Sequence, residues 1–408
     1  MNKLKSFFSA IWKWIKGALS VFHRLVPKFF YVFPVLALIC AILHIICNYS
    51  VSFADLMIEK ICAPMRFVLA KATGWVPFSV GELTLLLLPL LIVILICITV
   101  KILKSFDTKP QNAADAADVD VKVAVHKMFN SKLYCRTVAF LLAVLSLLYS
   151  LFVLTLAPGY KASTLDRKMK LPCHPVSAEE LLYTAEILRD KAHAELDALT
   201  FRYADFSVMP YSWDEMNDKL NDAFAKTAKK YGFLTNFRSN IKYVMLSEPM
   251  SYTHITGVYS YYTGEANLNV NFPDYSLPYT AAHEFAHQRG IARENEANFV
   301  AFLVCIESED PYIRYSGYVN LLEYVMNSLY SANAEWYYEF YKTLDRRIVY
   351  EFNASSRFFE KYRENVAADV SDAVNNNYLQ SQGQTAGTRS YGLVVDLAVA
   401  YYKTHPVE

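Results

Sequence analysis

"TAAHEFAHQRGIARENEANFVAFL", residues 280–303, sets two imidazoles, three carboxylates and two guanidinium groups into an alanine-rich stretch with apolar flanks. His283, Glu284 and His287 form an HExxH sequence. On a helix, residues four apart share a face, so both imidazoles can bind one zinc ion. Glu284 then lies beside an open coordination position, where a carboxylate can take a proton from water.

The spacing points to Glu294 as a third ligand. An unbroken helix would carry Glu294 about 16 Å from His283, at 1.5 Å per residue. Ligands of one ion must instead converge to ~2.0–2.2 Å from it. Gly290, three residues after His287, can end the helix in a left-handed cap and turn the chain back. A second helix then begins with Glu294 near its start. Ala282 and Ala286 on the first helix, and Ala297 and Ala301 on the second, allow the close packing that a three-ligand site requires. Asn298, one turn after Glu294, can hydrogen-bond a ligand histidine from behind. Glu296 is the second choice for the ligand and otherwise reads as an exposed acid. An oxyanion stabiliser is also needed. Tyr391 leads for that role, with Arg389 in the same "GTRSYG" stretch and His254 in "SYTHIT" as alternatives.

At these residues the chain resembles the zincin metallopeptidases. The pattern Glu294-x-x-Ala297-Asn298 is similar to the ExxAD of the membrane-bound prenyl-protein endopeptidases, in which the first Glu binds zinc. Asn298 departs from that pattern by replacing the Asp, which removes a charge that would polarise a histidine. The seven-residue step from His287 to Glu294 is also much shorter than in those enzymes. It is closer to the HExxHxxGxxH/D of the metzincins, whose third-ligand position falls here on Arg293, a residue that cannot bind zinc. Three apolar spans, "PFSVGEL" and "AAHEFAHQRGIARENEAN" together resemble an uncharacterised bacterial family of membrane proteins bearing HExxH. The zincin resemblance implies Zn2+ as cofactor, peptidase activity, and a strand before the HExxH helix that pairs with extended substrate. "EANLNVNF" (265–272) is placed for that pairing; a core strand is the alternative.

The apolar fraction of the chain, 54%, is concentrated in three uncharged runs at 29–49, 83–100 and 137–157, each near the ~20 residues that cross a bilayer as a helix. Before them, "KLKSFFSAIWKWIKGALSVFHRL" spaces apolar residues helically among lysines, as an interfacial basic helix over residues 1–28 does. It reads as an uncut anchor. Six basic residues precede the first run, three separate the first two, and seven lie between or beside the second and third. The N-terminus is therefore expected inside the cytoplasm and residues 161–408 outside it, in the plasma membrane of a bacterium. The loop between the first two runs reads as a short helix on the outer membrane surface. The loop after the second run reads as a polar connector.

From residue 161 the expectation is a mostly helical α+β domain with a small sheet. Ser177 with Glu180, and Ser212 with Glu215, mark capping boxes. "IKYVMLS", "ITGVYSYYT" and "EANLNVNF" supply strands, with "TGEA" as a turn. "NNNYLQSQGQTAGTRSYG" reads as a polar loop before a final helix. A balance of 40 Lys+Arg against 39 Asp+Glu leaves no footprint for nucleic acid. The seven cysteines include no metal-type CxxC pair.

The function expected is a membrane-anchored zinc peptidase whose partners are the bilayer and a peptide or protein substrate; the oligomeric state stays open. A non-catalytic zinc receptor is the alternative. A di-iron carboxylate protein would need a second ExxH, which the chain lacks.

Overall fold

The computed structural model describes Trp12 and residues 16–17, 19–104, 131–202 and 207–406. Most of the basic amphipathic segment, and the polar connector after the second apolar run, lie outside the described residues. In chain order, α1 (Val32–Tyr49) is followed by α2 (Val51–Met57), a π-helical turn (Ile58–Cys62), α3 (Ala63–Gly74), α4 (Val80–Lys104) and α5 (Lys132–Thr155). Two compact units emerge, residues 1–43 with 82–153 and residues 44–81 with 154–408.

The first unit holds most of α1, α4 and α5. The segments Lys28–Tyr49, Val80–Ile102 and Lys132–Thr155 are each helical, long and apolar enough to cross a membrane. Their leucines, isoleucines and valines are largely exposed, which suits helices whose solvent is lipid. A small internal cluster joins Val26, Cys135 and Ala139.

The second unit is mostly helical with small sheets, as an α+β reading requires. It continues with α6 (Leu165–Met169), α7 (Ala178–Glu195), β1 (Thr200–Phe201), β2 (Ser207–Val208), α8 (Trp213–Lys230), β3 (Lys242–Tyr243), α9 (Ser247–Ser251), β4 (Gly257–Ser260) and β5 (Glu265–Leu268). Then come α10 (Leu277–Gln288), α11 (Glu294–Ile306), α12 (Pro311–Ala332), α13 (Ala334–Tyr341), α14 (Arg346–Glu360), α15 (Val366–Ser381) and α16 (Val394–Thr404). The Ser177 capping box is complete, each residue satisfying the other's backbone N–H. At Ser212 the serine accepts from the Glu215 N–H, which starts α8 on that bond. The Asn-rich stretch expected as a loop is helical through Ser381, because Leu379 is fully buried and ties α15 down.

The larger sheet has the order β3-β5-β4, with β3 parallel and β4 antiparallel to β5. β5 is therefore central and buried along its length, the core-strand alternative and not the substrate-pairing edge. Alternating side chains could not reveal this, since strand order depends on distant partners. The edge next to α10 belongs to β4. The core packs Ala281, Ala282, Phe285 and Ala286 of α10 against Ala297, Phe299 and Ala301 of α11. These alanines, fully buried, let the two helix backbones approach.

The segment between the first two spanning candidates departs from one short surface helix. It forms α2, the π turn and α3, and it belongs to the second unit. Lys71 donates to the Arg238 carbonyl at 2.9 Å, Thr73 to the Thr263 carbonyl at 3.2 Å, and the Gly81 N–H to Glu265 at 2.8 Å.

Candidate metal centre

The turn that ends α10 builds the site. The Gly290 N–H donates to the His287 carbonyl at 2.9 Å and the Ile291 N–H to the Ala286 carbonyl at 3.0 Å, the paired bonds of a Schellman cap. Gly290 sits at φ +105°, where an L side chain is strained. A Cβ there would also run into the guanidinium of Arg66, which reaches up from α3. Arg66 is fully buried and its Nη1 donates to the Thr155 carbonyl at 2.7 Å.

Past this turn α11 starts at Glu294, and the carboxylate comes back over the histidines. Glu294 Oε2 lies 3.3 Å from His283 Nε2 and 3.3 Å from His287 Nε2. Donors ~2.1 Å from a tetrahedral ion are about 3.4 Å apart, so this is the spacing of one coordination sphere. All three side chains are buried, with one donor atom of each within 4.8 Å of the others. The two imidazoles stand nearly perpendicular, 89° between planes.

Second contacts fix the donor atoms. His287 Nδ1 lies 2.7 Å from the Ile291 carbonyl. A carbonyl only accepts, so Nδ1 carries a proton and Nε2 is the nitrogen that faces Glu294. One backbone turn thus both returns Glu294 and orients His287. Burial opposes a charge on Glu294, but the two imidazoles outweigh it and hold the carboxyl well below the usual range. Burial also opposes a charge on His287, and Glu294 overcomes it, raising the imidazole to about 9. His283, lacking as strong a balance, is lowered by burial and by His287. A bound dication would take the place of the proton that Glu294 favours on His287, and two imidazole nitrogens with a carboxylate would then form a donor set that suits zinc.

Glu284 faces β4. A Cβ on Gly257 would fall 2.6 Å from Glu284 Oε1, so the carboxyl occupies space that only glycine leaves free. The Tyr259 backbone N–H also bears on it, and Oε2 has no hydrogen-bond partner. Burial pushes this carboxyl up to about 8. A dication held by its neighbours would act in the opposite direction.

Asn298 lies near His283, whose affinity for a proton its side chain raises, but the expected hydrogen bond is not formed: His283 Nδ1 is buried with no hydrogen-bond partner. Its amide Nδ2 lies 3.4 Å from the Tyr324 hydroxyl and 3.3 Å from the Tyr391 carbonyl. The Tyr391 ring stacks 6.4 Å from that of His283 at 18°. Burial and the Glu294 charge raise its phenol well above the ordinary value, so it is a hydroxyl donor at neutral pH. The alternatives are placed differently. His254 gives its Nε2 to the Tyr362 carbonyl at 2.6 Å, and Arg389 is exposed.

Glu296 is neither a ligand nor an exposed acid. It is buried, accepting from the Leu165 N–H at 2.9 Å and from Arg293 Nη1 at 3.0 Å. Its partner at residue 165 is too distant in sequence for a local reading to find. Two further tyrosines near Glu294 escape sequence reasoning: Tyr160 and Tyr378, with hydroxyls 3.1 Å apart.

Beside the three donors opens a cleft of about 670 Å³ that reaches His283, Glu284 and Tyr391. Side chains from α10, α12, α14 and α15 line it, with the 253–257 loop at one side. Asn, Ser and Thr are frequent in its walls, and Ile255 is the one Ile, Leu, Val or Met among them.

Residues 58–399 match a protein family described as Protein of unknown function (DUF3810). No curated protein and no solved structure matches the chain. Because the family match spans most of the chain and takes in the whole centre, the chain belongs to that family.

Proposed function

We propose that this member of the DUF3810 family is a zinc-dependent, membrane-anchored endopeptidase with a zincin-like site. The observation that carries the reading is the return of Glu294 to 3.3 Å from both imidazole Nε2 atoms of an HExxH helix. His283, His287 and Glu294 are the residues that would hold Zn2+. The chemistry such an ion supplies is polarisation of a carbonyl and a lowered pKa of water.

The remaining steps belong to side chains of this chain. Glu284, with Oε2 unpartnered, takes the proton from the attacking water and later delivers it to the leaving amine. The Tyr391 hydroxyl donates to the oxygen that gains charge. The edge of β4 pairs with an extended peptide, which runs on into the cleft. Burial excludes bulk water around Glu284 and strengthens these interactions.

The three apolar helices support membrane insertion. The lysine and arginine bias supports a cytoplasmic N-terminus, and an odd number of crossings then puts the second unit outside the cytoplasm. The bacterial plasma membrane is the location this topology fits.

Glu284→Gln tests the reading. The variant is expected to keep zinc at wild-type stoichiometry while peptide hydrolysis falls at least about 100-fold. Hydrolysis at the wild-type rate would eliminate Glu284 as the base. A zinc-binding receptor without turnover predicts no hydrolysis by wild type and unchanged signalling in the variant.

A further inference from the structure

We infer that the cleft receives a substrate carrying a positively charged side chain, seated against Glu323. Only the assignment of that side chain to a position beside a cut bond rests on the peptidase reading. The cation site itself follows from the cleft walls.

Helix α12 turns Asn320, Glu323, Tyr324 and Asn327 toward the cleft, at the i, i+3, i+4, i+7 spacing of one face. Among the described residues no hydrogen bond or ion pair engages the Glu323 carboxylate, which remains accessible from the cleft. The residue is exposed into the cleft, and partial desolvation by the surrounding walls raises its pKa. Its charge is felt by the phenols of Tyr275 and Tyr324. Phe352 and Phe359 of α14 line the same cavity. A carboxylate among aromatic faces and neutral hydroxyls is the donor set that recognises an ammonium or guanidinium group.

The position is adjacent to the chemistry. Tyr324 follows Glu323, its hydroxyl lies 3.4 Å from Asn298 Nδ2, and Asn298 flanks the ligand His283. Arg363 is the single Lys or Arg among the lining residues; it is exposed beyond the end of α14, and Asp372 in the same lining matches its formal charge. No charge from Arg363 registers at Glu323.

The test uses the full chain in detergent, zinc-loaded and carrying Glu284→Gln so that turnover does not interfere. Binding is measured for three blocked pentapeptides of alanine with a central Lys, Ala or Glu. The Lys peptide is expected to bind at least about tenfold more tightly than the Glu peptide. Adding Glu323→Gln is expected to abolish the difference, and Glu323→Lys to reverse it, with unchanged thermal unfolding midpoints. Equal affinities, no binding of any peptide, or a Lys preference that survives Glu323→Gln would overturn the inference. Preferential Lys binding combined with no cleavage by the wild-type chain would leave the cation site standing and defeat the peptidase reading.

Discussion

Glu294 and Glu351 are both buried carboxylates with close side-chain partners, yet their surroundings drive them in opposite directions. Glu294 faces two imidazoles, which can carry or share positive charge, and is held ionised far below its ordinary range. Glu351 accepts from the Ser207 N–H at 3.0 Å, the Ser207 hydroxyl at 2.6 Å and the Tyr315 hydroxyl at 2.5 Å. All three donors are neutral, and burial raises Glu351 to about 7. A full set of hydrogen bonds therefore does not by itself make a carboxylate ready for a cation. The sign of the surrounding charge decides, and it separates a proposed ligand from a strut that ties β2 to α12 and α14.

The sharpest break in this contrast is His287→Ala. It removes a donor and leaves Glu294 short of a partner, so zinc affinity should fall by more than the ~10–100-fold typical of outer-sphere changes. Metal analysis after dialysis against a weak chelator checks this, and retention of zinc would rule out the three-donor centre. Next in size is Gly290→Ala, which combines a strained backbone with a clash against Arg66. Together these should cost about 4 kcal/mol. Thermal or denaturant unfolding of the metal-free protein reads the cost, and a change below about 1 kcal/mol would show that the turn relaxes freely.

Glu351 sharpens the other side. Its folded pKa, about 7, exceeds the ordinary 4.5, so between those values the folded state binds the extra proton. Its contribution to stability is fully present below pH 4.5 and is lost as pH rises through 7, amounting to about 3 kcal/mol. In Glu351→Gln that slope should flatten across the window, as unfolding measured between those pH values would reveal. An unchanged slope would assign it to another group.

The centre was legible in the sequence because its parts are local and chemically demanding. Two histidines four apart, a glycine that must adopt positive φ and a following Glu permit few other arrangements. Asn298 and Tyr391 also fall at the site the sequence suggested. What could not be read depends on contacts across long stretches of chain. Arg66 meets Gly290 and Gly257 admits Glu284 without any local signature. Glu296 looked exposed because its partner, the Leu165 N–H, lies 131 residues away. Strand composition announced a small sheet but not its order, so β5 could be read equally as an edge or as a core strand, and the free edge next to α10 is held by β4. The mostly helical character followed from apolar spacing and capping serines, whereas the Asn-rich end of α15 is helical through packing.

The Arg66 plug bears on how this protein can be handled. A fragment starting after the last apolar helix would retain every proposed zinc ligand but lack the guanidinium wedged beneath their reverse turn. Solvent would enter that gap, and the ligand loop would be free to fray. A water-soluble version of the protein would therefore need residues 51–79 grafted back, not merely the hydrophobic helices trimmed away.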